Sequence, residues 1–358
     1  MVTIPTSRSR LGRGYFEEMK TEDDALSVTG WMIHPHRPLS SFEAHLDGSL
    51  AGAVEPYTRE DVGAAFPWIS HARRSGFHFR LPTSARRGRI EIVGRQGDCP
   101  VARLTSIYRA DLGSAVSTPP IPVMAKVMGP TANPEQFRAD GLKSFSDFFD
   151  AISRHREFTS IRRMLDWGCG CGRATVHFLL DGTIPEVSGC DIDGEAVAWC
   201  QQHLRHGKFQ RIDPYPPTPY PDHSFDLVIA YSVFTHLSRD LQNAWLTEMR
   251  RIISPTGLLV ASVHGKVAAS FAFPPTGPAR LVRRLWDRFV PSRVLREGIV
   301  DTSVDHALDG IAPEGYYRSV FQTREYTIRE WSKFFEILEY SEAGAGNYQD
   351  LVVMRRPA

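Results

Sequence analysis

Residues 163–178 read RMLDWGCGCGRATVHF, and the fold turns on how that run is parsed. Met164 and Leu165 lead to Asp166, glycines follow at Gly168, Gly170 and Gly172, and then Ala174, Val176, Phe178 and Leu179 take up helical spacing. The run reads as strand, tight glycine turn and helix, the layout of a nucleotide-binding loop. Glycine tolerates positive φ and puts no side chain in a ligand's way, and the amide N–H groups opening the helix are expected to face the same point. A dinucleotide fingerprint, G-x-G-x-x-G, needs a final glycine where this chain has Arg173.

Asp191 closes the next apolar run, Val187 to Cys190, with a helical pattern over 195–203 behind it. A carboxylate at the tip of a second parallel strand, roughly 20 residues past the glycines, can accept both hydroxyls of a ribose. With these two features the chain resembles the class I S-adenosylmethionine-dependent methyltransferases over residues 137–355. The resemblance implies an α/β fold: a Rossmann-like seven-stranded sheet with helices on both faces. It also implies S-adenosylmethionine as cofactor, held by Asp166, Gly168, Cys169, Gly170, Gly172 and Asp191 with the adjoining Ile192. Asp213, after a third strand at 209–212, is then expected near the adenine amino group, and Tyr231 is expected to flank the cofactor. The phrase Ser254-Pro255-Thr256-Gly257 before an apolar strand at 258–263 is a second match to the family.

The chemistry belongs at the carboxyl edge of strands 4 and 5, where open parallel sheets bind ligands. Strand 4, residues 225–230, delivers YSVFTHL to that edge, and strand 5 ends at His264. A sulfonium methyl is already activated, so the protein must align the acceptor, exclude water and, for a hydroxyl acceptor, take a proton. Histidine is the natural base at neutral pH, which makes His236 and His264 the catalytic candidates. His203 and His206 share a helix end but lack an evident third ligand, so no metal is expected.

Residues 266–329 read as an insertion or lid. Within it, 279–297 carries an apolar stripe (Leu281, Val282, Leu285, Trp286, Phe289) opposite arginines, and Tyr316, Tyr317 and Arg318 are suited to binding a sugar. Thr327 resembles a helix cap with Glu330 as its capping-box partner. Residues 335–340 and 350–354 read as the closing antiparallel hairpin.

Upstream the pattern changes. After an arm, 1–24, short β runs at 27–33, 42–46, 50–54, 76–81, 89–93 and 101–104, with the hairpin signal Asp47-Gly48, imply a small all-β sandwich over 25–108. Gly30-Trp31, the Leu46-Asp47-Gly48 turn, Arg59-Glu60-Asp61-Val62 and Ser75-Gly76-Phe77 resemble immunoglobulin-like modules attached to bacterial glycan-modifying enzymes. A proline-rich linker, 109–132, and a helix at 134–155 capped by Asn133 lead into the methyltransferase domain, 133–358. The chain of 358 residues has 42 basic and 41 acidic side chains, a balance that offers no field for nucleic acid. No run is apolar enough to span a bilayer, and five scattered cysteines with no apolar amino-terminal core point to the cytoplasm. The expected function is O-methylation of a sugar or glycan intermediate. The alternatives are methylation of another small molecule and a non-catalytic cofactor-binding scaffold, and homo-oligomerisation is left open.

Overall fold

The computed structural model describes residues 12–22, 24–109, 116–272, 292–304 and 306–357. The amino-terminal strands are β1 (Arg13–Glu22), β2 (Ala25–Ile33), β3 (Ser41–Leu46), β4 (Ser49–Val54), β5 (Tyr57–Thr58), β6 (Arg74–Pro82), β7 (Arg87–Gln96) and β8 (Cys99–Arg109). They form two four-stranded sheets, ordered β1-β2-β6-β5 and β4-β3-β7-β8. Alternate residues of each sheet meet in one core, with Phe16, Val28, Phe77 and Phe79 from the first against Phe42, Ile90, Ile92 and Leu104 from the second. Asp47 and Gly48 both have positive φ, the backbone a two-residue hairpin between β3 and β4 demands. Strand β1 corrects the expected arm. It pairs antiparallel with β2 along its length, yet only Phe16 among its large side chains is fully buried, so its sequence shows little alternation.

Helix α1 (Glu60–Ala65) follows β5, and two helices precede the second domain. One is α2 (Ile121–Met128), which lies inside the stretch expected to be linker. The other is α3 (Pro134–Ser153), where Asn133 caps the helix by accepting the Gln136 N–H. The remaining strands are β9 (Arg163–Trp167), β10 (Glu186–Asp191), β11 (Lys208–Arg211), β12 (Phe225–Ala230), β13 (Ile253–Val263), β14 (Ile299–Val304), β15 (Arg318–Gln322), β16 (Glu336–Ala345) and β17 (Gln349–Arg355). Seven of them form one sheet, β11-β10-β9-β12-β13-β17-β16, in which β17 runs antiparallel to both neighbours. Along β9, β12 and β13 the buried side chains alternate between two cores. Leu165, Val228 and Leu259 pack on one face, and Met164, Leu227 and Leu258 on the other. Both faces are therefore covered, by helices α4 (Thr175–Asp181), α5 (Gly194–His203) and α6 (Arg239–Ile252) together with α3, which explains why β12 reads as a continuous apolar run from Leu227 to Ala230.

The insertion supplies α7 (Lys266–Ala272), α8 (Ser292–Glu297) and the two-stranded sheet β14-β15. Of the arginine-faced helix expected over 279–297, residues 279–291 lie outside the described residues, and 292–297 are helical as α8. Helix α9 (Arg324–Trp331) starts at Thr323, whose hydroxyl accepts the Tyr326 N–H. This corrects the expected cap at Thr327, which sits inside the helix and donates its hydroxyl back to the Thr323 carbonyl.

The sandwich is docked against the second domain. Ala139 of α3 enters the sandwich core, and Phe271 of α7 packs edge-on to Phe66. The Arg13 guanidinium lies over the rings of Phe66, Phe271 and Tyr348, and Arg89 holds Asp150 through two bonds of 2.6 Å.

Candidate active site

The strand order reverses between β9 and β12, and beyond the carboxyl ends of β9, β10 and β12 lies a cavity of about 690 Å³. Open α/β sheets place ligands at such a reversal. Gly168, Gly170 and Gly172 all have positive φ, and a β-carbon on Gly168 would sit 2.3 Å from Val233. The loop amides are engaged within the protein. Those of Gly168 and Cys169 donate to the Cys190 carbonyl, that of Gly172 to the Cys169 carbonyl, and that of Gly170 to the Asp191 carboxylate at 2.7 Å. Of the amides that open the helix, the ones expected to face a ligand, that of Val176 donates to the Gly172 carbonyl and that of His177 to the Ala174 carbonyl. A turn whose amides are already paired does not cradle phosphate, which fits a nucleoside better than a pyrophosphate.

Asp191 accepts one amide on each oxygen, from Gly170 and Asp193, and a carboxylate retains further lone pairs for hydroxyl donors. Burial pushes its pKa up, against the pull of those two amides. Asp166 is more deeply buried. Its pKa rises to about 7 through desolvation, which outweighs the 2.6 Å bond from the Thr175 hydroxyl. Ile192, Ala196, Ile212 and Val123 give the cavity an apolar wall. Cys169 lines it as well, and Cys171 is buried, its thiol pushed up to about 12 by desolvation, so both cysteines are inert packing groups. Among the described residues, no group of three His, Cys, Asp or Glu side chains could hold a metal ion.

Two parts of this wall were not expected. Helix α2 lies across the opening, with Val127 against Gly170 and the Lys126 ammonium bonded to Asp193 at 2.9 Å and Glu195 at 2.8 Å. The only hint in sequence was the apolar run Ile121 to Met128 after the prolines. Arg173, which excluded the dinucleotide reading, also lines the cavity. Its guanidinium bonds buried Asp140 of α3 and lies 5.1 Å over the Tyr231 ring. Tyr231 is pushed up to about 12, chiefly by burial and then by Asp140.

On the far side, the chain leaving β12 turns sharply at Ser232, a non-glycine residue with φ +61. A buried network fixes that conformation: the Ser232 amide donates to the Ser262 hydroxyl at 2.8 Å, Ser262 donates to Gln349, and Gln349 donates to the Ser232 hydroxyl. The short turn Phe234–His236 follows. Gln242 of α6 secures it, donating to the carbonyls of Phe234 and Leu237 and to Gln322 while accepting from Trp331. His236 thus reaches the cavity with its Nδ1–H donating to the Arg318 carbonyl at 2.9 Å and its ring stacked on Tyr317 at 3.9 Å. A carbonyl can only accept, so the neutral ring carries its proton on Nδ1 and Nε2 is the basic nitrogen.

The expected residues therefore divide. Asp166, Gly168, Cys169, Gly170, Asp191, Ile192, Tyr231, His236, Tyr316 and Tyr317 line one cavity. Gly172, Asp213, His264 and Arg318 are not among the described residues that line it. Asp213 is exposed one position beyond Ile212, because the strand ends a residue early. His264 is packed between Phe321 and Tyr348, its pKa lowered to about 3 mainly by burial, which leaves it a poor base. Tyr316 directs its hydroxyl to the Pro214 carbonyl, and Arg318 holds Asp301 and the Gly315 carbonyl, each at 2.8 Å.

Residues 165–261 match a family model described as a methyltransferase domain. Among solved structures, the chain is similar to an S-adenosylmethionine-dependent methyltransferase from Methanosarcina mazei, with 16% identity, 58% of this chain and 97% of that one covered, and a TM-score of 0.41. It is similar also to the N-methyltransferase NodS from Bradyrhizobium japonicum, with 13% identity, 67% and 100% covered, and a TM-score of 0.40. A third is the glycopeptide N-methyltransferase MtfA, with 15% identity, 60% and 93% covered, and a TM-score of 0.41. The methyltransferase-domain match thus falls on residues 165–261, the stretch that holds the glycine loop, Asp191 and the reversal of strand order beside the cavity.

Proposed function

We propose that the protein transfers a methyl group to a hydroxyl of a sugar or glycan intermediate, with His236 as the base. The observation that carries this reading is the placement of His236, with its tautomer set by the Arg318 carbonyl, in the cavity that Asp191 lines. In this reading Asp191 accepts the ribose hydroxyls, Ile192 and Ile212 enclose the adenine, and the glycine loop with Tyr231 flanks the methionyl portion. When bound, S-adenosylmethionine supplies a methyl carbon activated by a positive sulfur. His236 Nε2 takes the proton that the acceptor oxygen releases as its bond to the methyl carbon forms and the carbon–sulfur bond breaks. The Arg318 carbonyl then steadies the resulting imidazolium through Nδ1–H. Trp245, Leu237 and Tyr317 give this part of the cavity an apolar lining suited to limiting water around the acceptor.

The sugar assignment is supported by the resemblance of the docked sandwich to modules on glycan-modifying enzymes. Tyr215 adds to it: its ring is 49% exposed and lies 5.4 Å from that of Tyr316, offering an apolar face beside the cavity. The test is transfer of labelled methyl from S-adenosylmethionine to fractionated sugars, phenols, amines and carboxylates. A base-stable methyl ether on a sugar fraction is the expected product, and label only in amines or base-labile esters refutes it. His236→Gln is expected to lower kcat by about 10²- to 10⁴-fold with cofactor affinity unchanged; wild-type turnover would remove His236 from the chemistry.

A further inference from the structure

We propose that Tyr317 and the Asp301–Arg318 pair are positioning residues that set the tautomer and orientation of His236, and do not themselves bind the acceptor. The role rests on the reading of His236 as base, but its geometry stands apart from that reading. One face of the Tyr317 ring is covered by the imidazole, with centroids 3.9 Å apart and planes 14° from parallel. The next residue provides the carbonyl that accepts His236 Nδ1–H at 2.9 Å. That carbonyl is held from two directions. The Arg318 guanidinium bonds Asp301 of β14 and the Gly315 carbonyl, while four residues on the Gln322 amide ties β15 to the His264 carbonyl at 2.9 Å. The histidine on the loop after β12 is thus oriented by a strand from the insertion.

Chemistry follows from this placement. A carbonyl fixed at Nδ1 excludes the Nε2–H tautomer, which would present a donor to an acceptor hydroxyl where a base is required. Asp301 and Arg318 are both more than a third exposed, so their ion pair adds little to the stability of the fold. Its consequence lies in where it holds a carbonyl.

The test reads the histidine directly and needs no acceptor. Long-range proton–nitrogen spectra of the full chain, labelled at histidine nitrogens and saturated with S-adenosylhomocysteine, report tautomer and titration, with His236→Gln identifying the resonance. Asp301→Ala and Tyr317→Leu are expected to shift the tautomer ratio toward Nε2–H by about threefold or more, the weight of one hydrogen bond. Tyr317→Phe, which keeps the stacked ring, is expected to return the wild-type ratio. Unchanged ratios in both Asp301→Ala and Tyr317→Leu overturn the proposal, and Asp301→Ala serves alone if Tyr317→Leu does not fold. A failure here is separable from failure of the proposed function, which is read by turnover of His236→Gln.

Discussion

The two halves of the cavity are built in different ways. The centre of the cofactor half comes from one continuous unit, strand β9 through strand β10, where conformation is dictated by local chemistry: glycines at positive φ and a carboxylate at a strand tip; α2, Ile212 and Tyr231 complete the wall around it. The half proposed to take the acceptor is assembled from the loop after β12, the face of α6 and the insertion strand β15, which are distant in sequence and joined by side-chain bonds. Local chemistry makes the first half tolerant of whatever surrounds it, whereas the second exists only once the tertiary structure has formed.

The sharpest way to break this contrast is at Asp191. Its carboxylate takes the Gly170 and Asp193 amides, and in the proposed complex a ribose as well, so Asp191→Ala removes charge-assisted bonds of about 1.5–3 kcal/mol each. S-adenosylhomocysteine affinity by calorimetry is expected to fall on the order of 100-fold, and the loss of the two internal amide bonds is expected to lower the melting point as well. If affinity holds, the cofactor half is not organised by this residue.

Gln242 probes the other half. Gln242→Leu leaves the Phe234 and Leu237 carbonyls, the Gln322 amide oxygen and the Trp331 N–H to find new partners inside the core. The cost is expected to be about 2–3 kcal/mol of stability in denaturant unfolding, with cofactor affinity nearly intact. A loss of affinity as large as that of Asp191→Ala would show that the halves are one cooperative unit.

What could be read beforehand follows the same division. Asp166, the glycines and Asp191 were legible because a backbone that needs positive φ, or a carboxylate at a strand tip, leaves a mark at its own position. Strand β12 was legible through its apolar run. His236 could be nominated from the edge it follows, but its tautomer could not, since that depends on a carbonyl 82 residues away. His264 ends the neighbouring strand, and spacing alone could not reveal that Phe321 covers it. Tyr316 looked suited to a sugar until the fold gave its hydroxyl to Pro214. Lys126 and α2 were hidden for another reason. The prolines before them mark a linker in most contexts, and the helix gains its purpose from what it lies against.

A pH measurement tests for a buried acid on β17, outside the cavity lining. Asp350, beside Gly265 at the end of β13, accepts the Tyr340 hydroxyl at 2.6 Å and the Ala343 amide at 2.8 Å. Burial pushes its pKa up to about 7, well above its value in the unfolded chain. With the folded pKa raised, the unfolded state binds fewer protons between the two values. The stabilisation from the protonated acid is therefore full below about pH 4 and is lost as pH rises through about 7. Asp166 contributes with the same sign from the cofactor side. Asp350→Asn stays neutral throughout, so the fall in wild-type stability between pH 5 and 8 should shrink in the variant by on the order of 2 kcal/mol. Equal slopes in the two proteins would mean that Asp350 is ionised in the fold.

The smallest effect tests the seam that closes the cofactor half. Lys126 bridges Asp193, which caps α5, and Glu195 in its first turn, so it fastens α2 over the cavity through an ion pair open on one side to water. Such a pair is worth less than about 1 kcal/mol. Lys126→Met keeps the apolar stem against the wall and removes only the charge. Stopped-flow dissociation of S-adenosylhomocysteine should then quicken by about threefold. The mechanism is separated from a mere packing change by salt. Screening weakens an exposed pair, so the wild-type off-rate should climb with ionic strength toward that of the variant, while the variant's own rate stays flat. Parallel salt dependences in the two proteins would mean that α2 is held by Val127 against Gly170 and not by charge, which would make this edge of the cofactor half a matter of packing alone.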